Sequence, residues 1–307
     1  MELPRSAAPP RSPGGWSRAD RDGSKVRSVA EYIQIPTPAG NFDALTAGPT
    51  DGRPVLLLHG FPEAGAEWSE QLSVLGGAEC FAVAPDQRGY SPGVRPQNVA
   101  DYKMNELVGD VLAIAAHFGW QRFDLVGHDW GAAVAWATAA AHPDRVRTLT
   151  AVSIPHTDAF AEAIREDEDQ QQRSAYMQAL RASTAEKTLL EENAKKLRRI
   201  YYPGGVPDHH VDDYVQRLTE PGALTGALNW YRAMKYNPRI GPVEVPTLYV
   251  WSTEDVAVGS TAAMATEQHV TGPYTFEMLE DVTHWIPEEA PDSLSRFLLQ
   301  HLLAHQD

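Results

Sequence analysis

The sequence predicts an α/β fold, a mostly parallel central sheet flanked by helices, with an all-helical cap inserted between two of its strands. Three features point there. Short apolar runs alternate with helix-favouring stretches, the order expected when strands are covered by crossover helices. One run, Val55-Leu56-Leu57-Leu58, is continuously apolar, as a strand buried on both faces should be. Between about Ala159 and Asn237 the strand-like runs stop and charged helical sequence takes over, until the strand pattern resumes at Val245.

Taken in order, Val29 to Ile35 and Phe42 to Ala47 read as an opening pair of strands. Val55 to Leu58 follows and runs straight into His59-Gly60-Phe61-Pro62. Helices fit Trp68 to Leu75, Asn105 to Phe118, Gly131 to Ala141 and Leu294 to Leu303, where apolar residues recur at helical spacing. Further strands fit Phe81 to Ala84, Phe123 to Val126, Arg147 to Ser153, Thr247 to Trp251 and Tyr274 to Leu279. Within the insertion, Ala161 to Glu168 and Leu190 to Leu197 are helix formers, and the acidic block Glu166 to Asp169, with no paired basic cluster, reads as a solvated face or loop. Residues 1–24 are rich in Pro, Arg, Gly and Ser and read as a disordered lead-in. The expected division is thus a core of 25–158 and 238–307 and a cap of 159–237.

Composition narrows the function classes. The 307 residues suffice for one core plus a smaller unit, since single cores stop growing near roughly 250 to 300 residues. The 41 acidic against 26 basic side chains give a formal charge of −15, which repels phosphate backbones and anionic bilayers. Neither nucleic acid nor membrane is therefore an expected partner. No run approaches the roughly 20 apolar residues of a membrane helix, and no apolar signal-peptide core opens the chain, so the expectation is a cytoplasmic protein, monomeric or a homodimer. The single cysteine, Cys80, sits in an apolar run and reads as a buried strand residue, which leaves no disulfide and no cysteine-built zinc site.

The chemistry concentrates at Leu125-Val126-Gly127-His128-Asp129-Trp130-Gly131, a G-x-nucleophile-x-G segment between a buried strand and an Ala-rich helix. Small residues on both flanks permit the sharp turn of a nucleophile elbow. The tip is Asp129, and a carboxylate there can attack an electrophilic carbon and form an ester. The helix that follows favours its ionised form. Backbone amides of Phe61 and Trp130 are placed to meet an oxyanion at the same point. Two later strand-end loops add an acid and a base. Thr253-Glu254-Asp255 offers Glu254 or Asp255, and Thr283-His284-Trp285 offers His284. Among the other histidines, His59 and His128 read as packed framework residues. His209 and His210, in the insertion, lack the i, i+4 spacing and the carboxylates of a metal site and read as exposed, so no metal is expected.

Together His59-Gly60-Phe61-Pro62-Glu63, Asp86-Gln87-Arg88-Gly89-Tyr90, Gly127-His128-Asp129-Trp130-Gly131, Asn229-Trp230-Tyr231-Arg232 and His284-Trp285 resemble the soluble epoxide hydrolases of the α/β-hydrolase superfamily, from about Val29 to the end of the chain. One departure is Ala132, where many members carry Gly. The resemblance selects Asp255 over Glu254 as the partner of His284. It also implies two cap tyrosines that hold and protonate the epoxide oxygen, Tyr231 in Leu228-Asn229-Trp230-Tyr231-Arg232 and, by a looser match, Tyr176 in Ser174-Ala175-Tyr176-Met177. The substrate implied is a small apolar epoxide, the co-substrate water, and no cofactor is needed. Asp129 would open the ring, and water activated by His284 would then hydrolyse the ester.

Two rivals share these residues. A haloalkane or haloacetate dehalogenase would use the same Asp and His. The haloalkane enzymes often place Asn where this chain has Phe61, however, and the haloacetate enzymes place arginines where it has Trp130 and Ala133. A non-catalytic ligand-binding protein of the same fold would have no use for a water-activating base.

Overall fold

A computed structural model describes residues 29–202, 204–234 and 239–306. The predicted lead-in (1–24) and the predicted cap end at Asn237 lie outside them. Each of the eight apolar runs forms a strand: β1 (Glu31–Thr37), β2 (Gly40–Ala47), β3 (Arg53–Leu58), β4 (Cys80–Pro85), β5 (Phe123–His128), β6 (Val146–Val152), β7 (Thr247–Ser252) and β8 (Tyr274–Leu279). They make one sheet in the order β1-β2-β4-β3-β5-β6-β7-β8, antiparallel at β1/β2 and β2/β4 and parallel elsewhere. The first strand begins and ends two residues later than its apolar run, because pairing with β2 extends to the turn, where Thr37 Oγ1 donates to Gly40 O.

Alternation along the strands builds two cores. Leu56 and Leu58 of β3 face α2 (Met104–His117) and α3 (Trp130–Ala141), while Val55 and Leu57 face α1 (Ser69–Gly77) and α12 (Pro291–Ala304). All four leucine and valine side chains are buried, as a strand covered on both faces requires. Chain order reverses at β3, with β4 on one side and β5 on the other. The loops leaving the carboxyl ends of β3, β5, β6, β7 and β8 therefore converge at one edge, where open α/β sheets bind ligands.

Between β6 and β7 the described residues form helices, α4 (Thr157–Glu166), α5 (Glu168–Arg173), α6 (Tyr176–Arg181), α7 (Ala185–Arg198), α8 (Asp208–Leu218) and α9 (Ala223–Ala233), and after them an isolated bridge of Val243 to Val270. The first starts two residues before Ala159, since His156 Nδ1 accepts from the Asp158 amide and caps it. The helix-favouring stretch after Leu190 is not one continuous helix. Glu192, Asn193 and Ala194 adopt positive φ, and the break lets Leu189 before it, Ala194 within it and Leu197 after it all be buried, a tertiary override of local propensity. The acidic block is the solvated face expected of it, with Glu166, Glu168 and Asp169 exposed; within it Asp169 pairs with Arg173 at 2.6 Å and Asp167 caps α5. Three contacts seat this insertion on the carboxyl edge of the sheet: Tyr201 OH donates to Pro62 O, Trp230 Nε1 to Arg88 O, and Arg217 pairs with Asp86, each at 2.8 Å. Two short helices, α10 (Ser260–Ala265) and α11 (Ile286–Glu289), complete the core.

Candidate active site

The elbow is built by its glycines. A Cβ on Gly131 would stand 2.1 Å from Leu58 O, and one on Gly127 2.3 Å from Gly131 O, so no larger residue fits either flank. The turn between them forces Asp129 to φ 49° and ψ −120°, a conformation that costs a non-glycine residue about 1–3 kcal/mol. The strained backbone directs the carboxylate away from the sheet edge at the start of α3. Its Oδ1 accepts from the Phe61 amide at 2.9 Å, and its Oδ2 lies 3.5 Å from His284 Nε2. Behind the imidazole, Nδ1 lies 2.9 and 3.0 Å from the two oxygens of Asp255. That carboxylate is fully buried and also accepts from the Ala257 and Val258 amides, whereas Glu254 is exposed. Asp129, His284 and Asp255 thus form one row along the loops after β5, β8 and β7.

The row opens into a cavity of about 460 Å³ whose walls are mostly apolar, among them Trp130, Ile154, Phe160, Ile164 and Met177. Tyr176 and Tyr231, from α6 and α9, line it together with Asp129. The Tyr231 ring packs edge-on against Phe61 and Trp130 at 5.2 and 5.1 Å, and Tyr176 stands 6.4 Å from Tyr231. Tyr231 is 2% exposed; Tyr176, which also lines the cavity, keeps 38% of its surface accessible.

A family model described as alpha/beta hydrolase fold matches residues 53–291. The chain belongs to that family. It is 30% identical over 264 residues to the AB hydrolase superfamily protein YfhM of Bacillus subtilis, covering 83% of this chain and 92% of that protein. It is 29% identical over 292 residues to epoxide hydrolase 3 of Xenopus tropicalis, covering 90% and 79%. Among solved structures, one of novel epoxide hydrolases from hot-environment metagenomes superposes with a TM-score of 0.81 at 28% identity, covering 89% of this chain and 98% of that one. The protein is a hydrolase of the α/β-hydrolase superfamily, and several of its relatives are named epoxide hydrolases.

The electrostatics of the hydrolase site follow from burial and neighbours. Burial alone would raise Asp129; the bond and charge of His284, the charge of His128 and the Phe61 amide outweigh it and hold the carboxyl below its ordinary value. For His284, burial opposes the imidazolium, but the Asp255 charge and the bonds to both carboxylates lift its pKa. Burial, reinforced by the negative charge of Asp129, pushes both phenols above their ordinary value, which keeps them protonated as donors.

Further residues of the hydrolase support the row, among them His128, buried as the framework residue it reads as in sequence. His128 Nε2 and Ser153 Oγ both contact the His284 carbonyl at 2.9 Å. His128 Nδ1 faces two fully buried carboxyls, Glu63 at 3.1 Å and Glu67 at 3.3 Å. Burial and then the Glu67 charge push Glu63 up to about 8. Helix α5 braces the acid loop, since Gln170 bonds Ala257 O and the Gly259 amide and Arg173 bonds Asp255 O. Nothing in the local sequence of Glu67, Gln170 or Arg173 marks these roles; Glu63 and His128 lay in motifs.

His210 departs from the exposure expected of it. It is half-buried and pairs with Glu288 at 2.5 Å, while His209 is exposed. Two groups of three candidate metal ligands occur among the described residues, His156/Asp158/His269 and Glu63/Glu67/His128. In the first, His156 is committed to the Asp158 amide and Gly241 O, and Asp158 to the Ile240 and Gly241 amides. In the second, burial favours the protonated carboxyls over a charged ligand set.

Proposed function

We propose that the protein hydrolyses epoxides to vicinal diols through a covalent ester on Asp129. One observation carries this reading: a buried carboxylate and two protonated phenols line the same apolar cavity. Ring strain makes the epoxide carbon electrophilic, but the alkoxide that leaves is a poor leaving group at neutral pH and needs an acid. Asp129 attacks the carbon from behind as the C–O bond breaks, and Tyr176 and Tyr231 bind the oxygen and protonate it.

Forming the ester removes the Asp129 charge, and with it part of what holds a proton on His284. Held by Asp255, the neutral imidazole then takes a proton from water, whose oxygen attacks the Asp129 carboxyl carbon. The amides of Phe61 and Trp130 receive the oxyanion. Collapse releases the diol, and the proton on His284 returns to the phenols through solvent. The helical insertion acts as the cap that excludes bulk water.

A dehalogenase would use the same Asp129 and His284, but a departing halide needs no proton and Phe61 offers it no side-chain N–H. The deciding experiment incubates the protein with a panel of epoxides and haloalkanes and measures diol and halide side by side. Diol formation is the expected result; halide release faster than diol from every epoxide overturns the reading.

A further inference from the structure

Helix α5 reads Glu168-Asp169-Gln170-Gln171-Gln172-Arg173 and holds no apolar residue, so burial of hydrocarbon faces cannot seat it on the core. Its one buried side chain is Gln170, which is fully enclosed. An enclosed amide is stable only when its polar ends are met, and here they meet the loop that carries Asp255. Gln170 Nε2 donates to Ala257 O at 2.8 Å and to Ser174 Oγ at 3.0 Å, while Oε1 accepts from the Gly259 amide at 2.9 Å. The stretch held in this way contains Ala257 and Val258, whose own amides donate to Asp255 Oδ1 at 2.7 and 3.0 Å. Arg173, at the end of the same helix, donates to Asp255 O at 2.5 Å. The first half of the loop is tied to the sheet instead, the Thr253 and Glu254 amides donating to Leu279 O and Val282 O. From the sheet to the second half, Trp251 Nε1 reaches Val258 O at a longer 3.3 Å.

We infer that Gln170, together with Arg173, is a positioning residue for ester hydrolysis: it fixes the loop that aims Asp255 at His284, so that His284 presents its free nitrogen to the attacking water. The inference rests on the two-step scheme proposed above and gives the insertion a role in its second step. Asp255 keeps a proton on His284 Nδ1 and so leaves Nε2 as the base. A loop released on the α5 side lets the carboxylate drift from Nδ1, and the imidazole is then free to turn. Misplacement by about 1 Å behind a reacting group costs on the order of 10²-fold in rate. Ring opening needs neither brace, because Asp129 is fixed by the elbow and the phenols by the packing of α6 on α9.

The test resolves the two steps by rapid quench and intact-protein mass spectrometry, with styrene oxide and 1,2-epoxyoctane as probes. Gln170→Met keeps the length of the side chain and removes both polar ends. In it, ester hydrolysis should slow about 10- to 100-fold while ring opening changes by less than about 3-fold, so that adduct accumulates and kcat and KM fall together. Arg173→Met, at a partly exposed position that the fold tolerates, should slow the same step about 3- to 10-fold. Followed by NMR in the free protein, the His284 imidazole should titrate about 1 unit lower in Gln170→Met, since part of the Asp255 charge withdraws from it. Gln172→Met, on the exposed face of the same helix, should leave both steps and the titration as in wild type.

A side chain that only anchored α5 would lower Tm and slow both steps alike without moving His284. Proportional loss in both steps, or a His284 that titrates as in wild type in both variants, therefore overturns the inference. If Gln170→Met does not fold, the same two readouts in Arg173→Met decide. Should neither epoxide react with the wild type, the epoxide reading fails by itself. The His284 titration then settles the positioning role, a lower value in the variants supporting it and an unchanged one overturning it.

Discussion

Asp129 Oδ2 and His284 Nε2 stand 3.5 Å apart, with the second imidazole nitrogen held by Asp255. In this arrangement the histidine faces the carboxyl that the proposed mechanism turns into the ester, and so can serve the second chemical step of that mechanism without taking part in the first. Asp129→Ala should therefore abolish turnover, while His284→Gln should open the ring and stop there. Intact-protein mass spectrometry of His284→Gln should show an adduct of one substrate mass. A folded variant that accumulates no adduct excludes the two-step scheme.

The same pair predicts a titration. His284 gains a proton affinity in the folded state that Asp129 helps to supply, so removing that charge in Asp129→Asn should lower the His284 pKa by about 1 to 3 units. A raised histidine contributes stability that is fully present below its unfolded value near 6.5 and is lost as pH rises through the folded value. The gap in Tm between wild type and Asp129→Asn should then narrow as the pH is raised through the wild-type His284 titration. Imidazole NMR gives the pKa and calorimetry the gap; a His284 that titrates identically in both proteins counts against the pairing.

Leaving-group protonation is isolated by the phenols. Tyr231→Phe keeps the ring contacts with Phe61 and Trp130 and removes the donor, so activity toward epoxides should fall about 10- to 1000-fold with little change in Tm. Adding Tyr176→Phe should leave the protein nearly inactive toward epoxides. Full activity in the double variant would assign the acid elsewhere.

Under the site, the buried Glu63 and Glu67 should make stability fall with pH. Their folded pKa values are raised, so the folded state binds more protons than the unfolded one between the ordinary glutamate value, about 4.3, and the folded value of Glu63, about 8. Wild-type Tm should drop across this window, and Glu63→Gln, which keeps the shape and loses the titration, should flatten the decline. Parallel Tm curves for the two proteins from pH 5 to pH 8 would show that the pair does not share protons in this way.

The sequence by itself determined what depends on neighbours along the chain. The inner strands are short apolar runs bounded by turn residues, and the elbow needs Gly127 and Gly131 within two residues of Asp129 whatever lies elsewhere. Motif order likewise put His284 after the last strand. Tertiary structure decided what depends on residues far apart in sequence. Glu254 and Asp255 are adjacent and chemically alike, and only the packing of the β7 loop against β8 and α5 buries one beside His284 and leaves the other in solvent. Tyr176 lies 47 positions from the elbow and belongs to the cavity because α6 packs on α9. The break in α7, the pairing of His210 with Glu288 and the carboxyl pair behind His128 are of the same kind. Each is set by burial and charge between segments that the chain brings together only when it folds, and no local pattern encodes them.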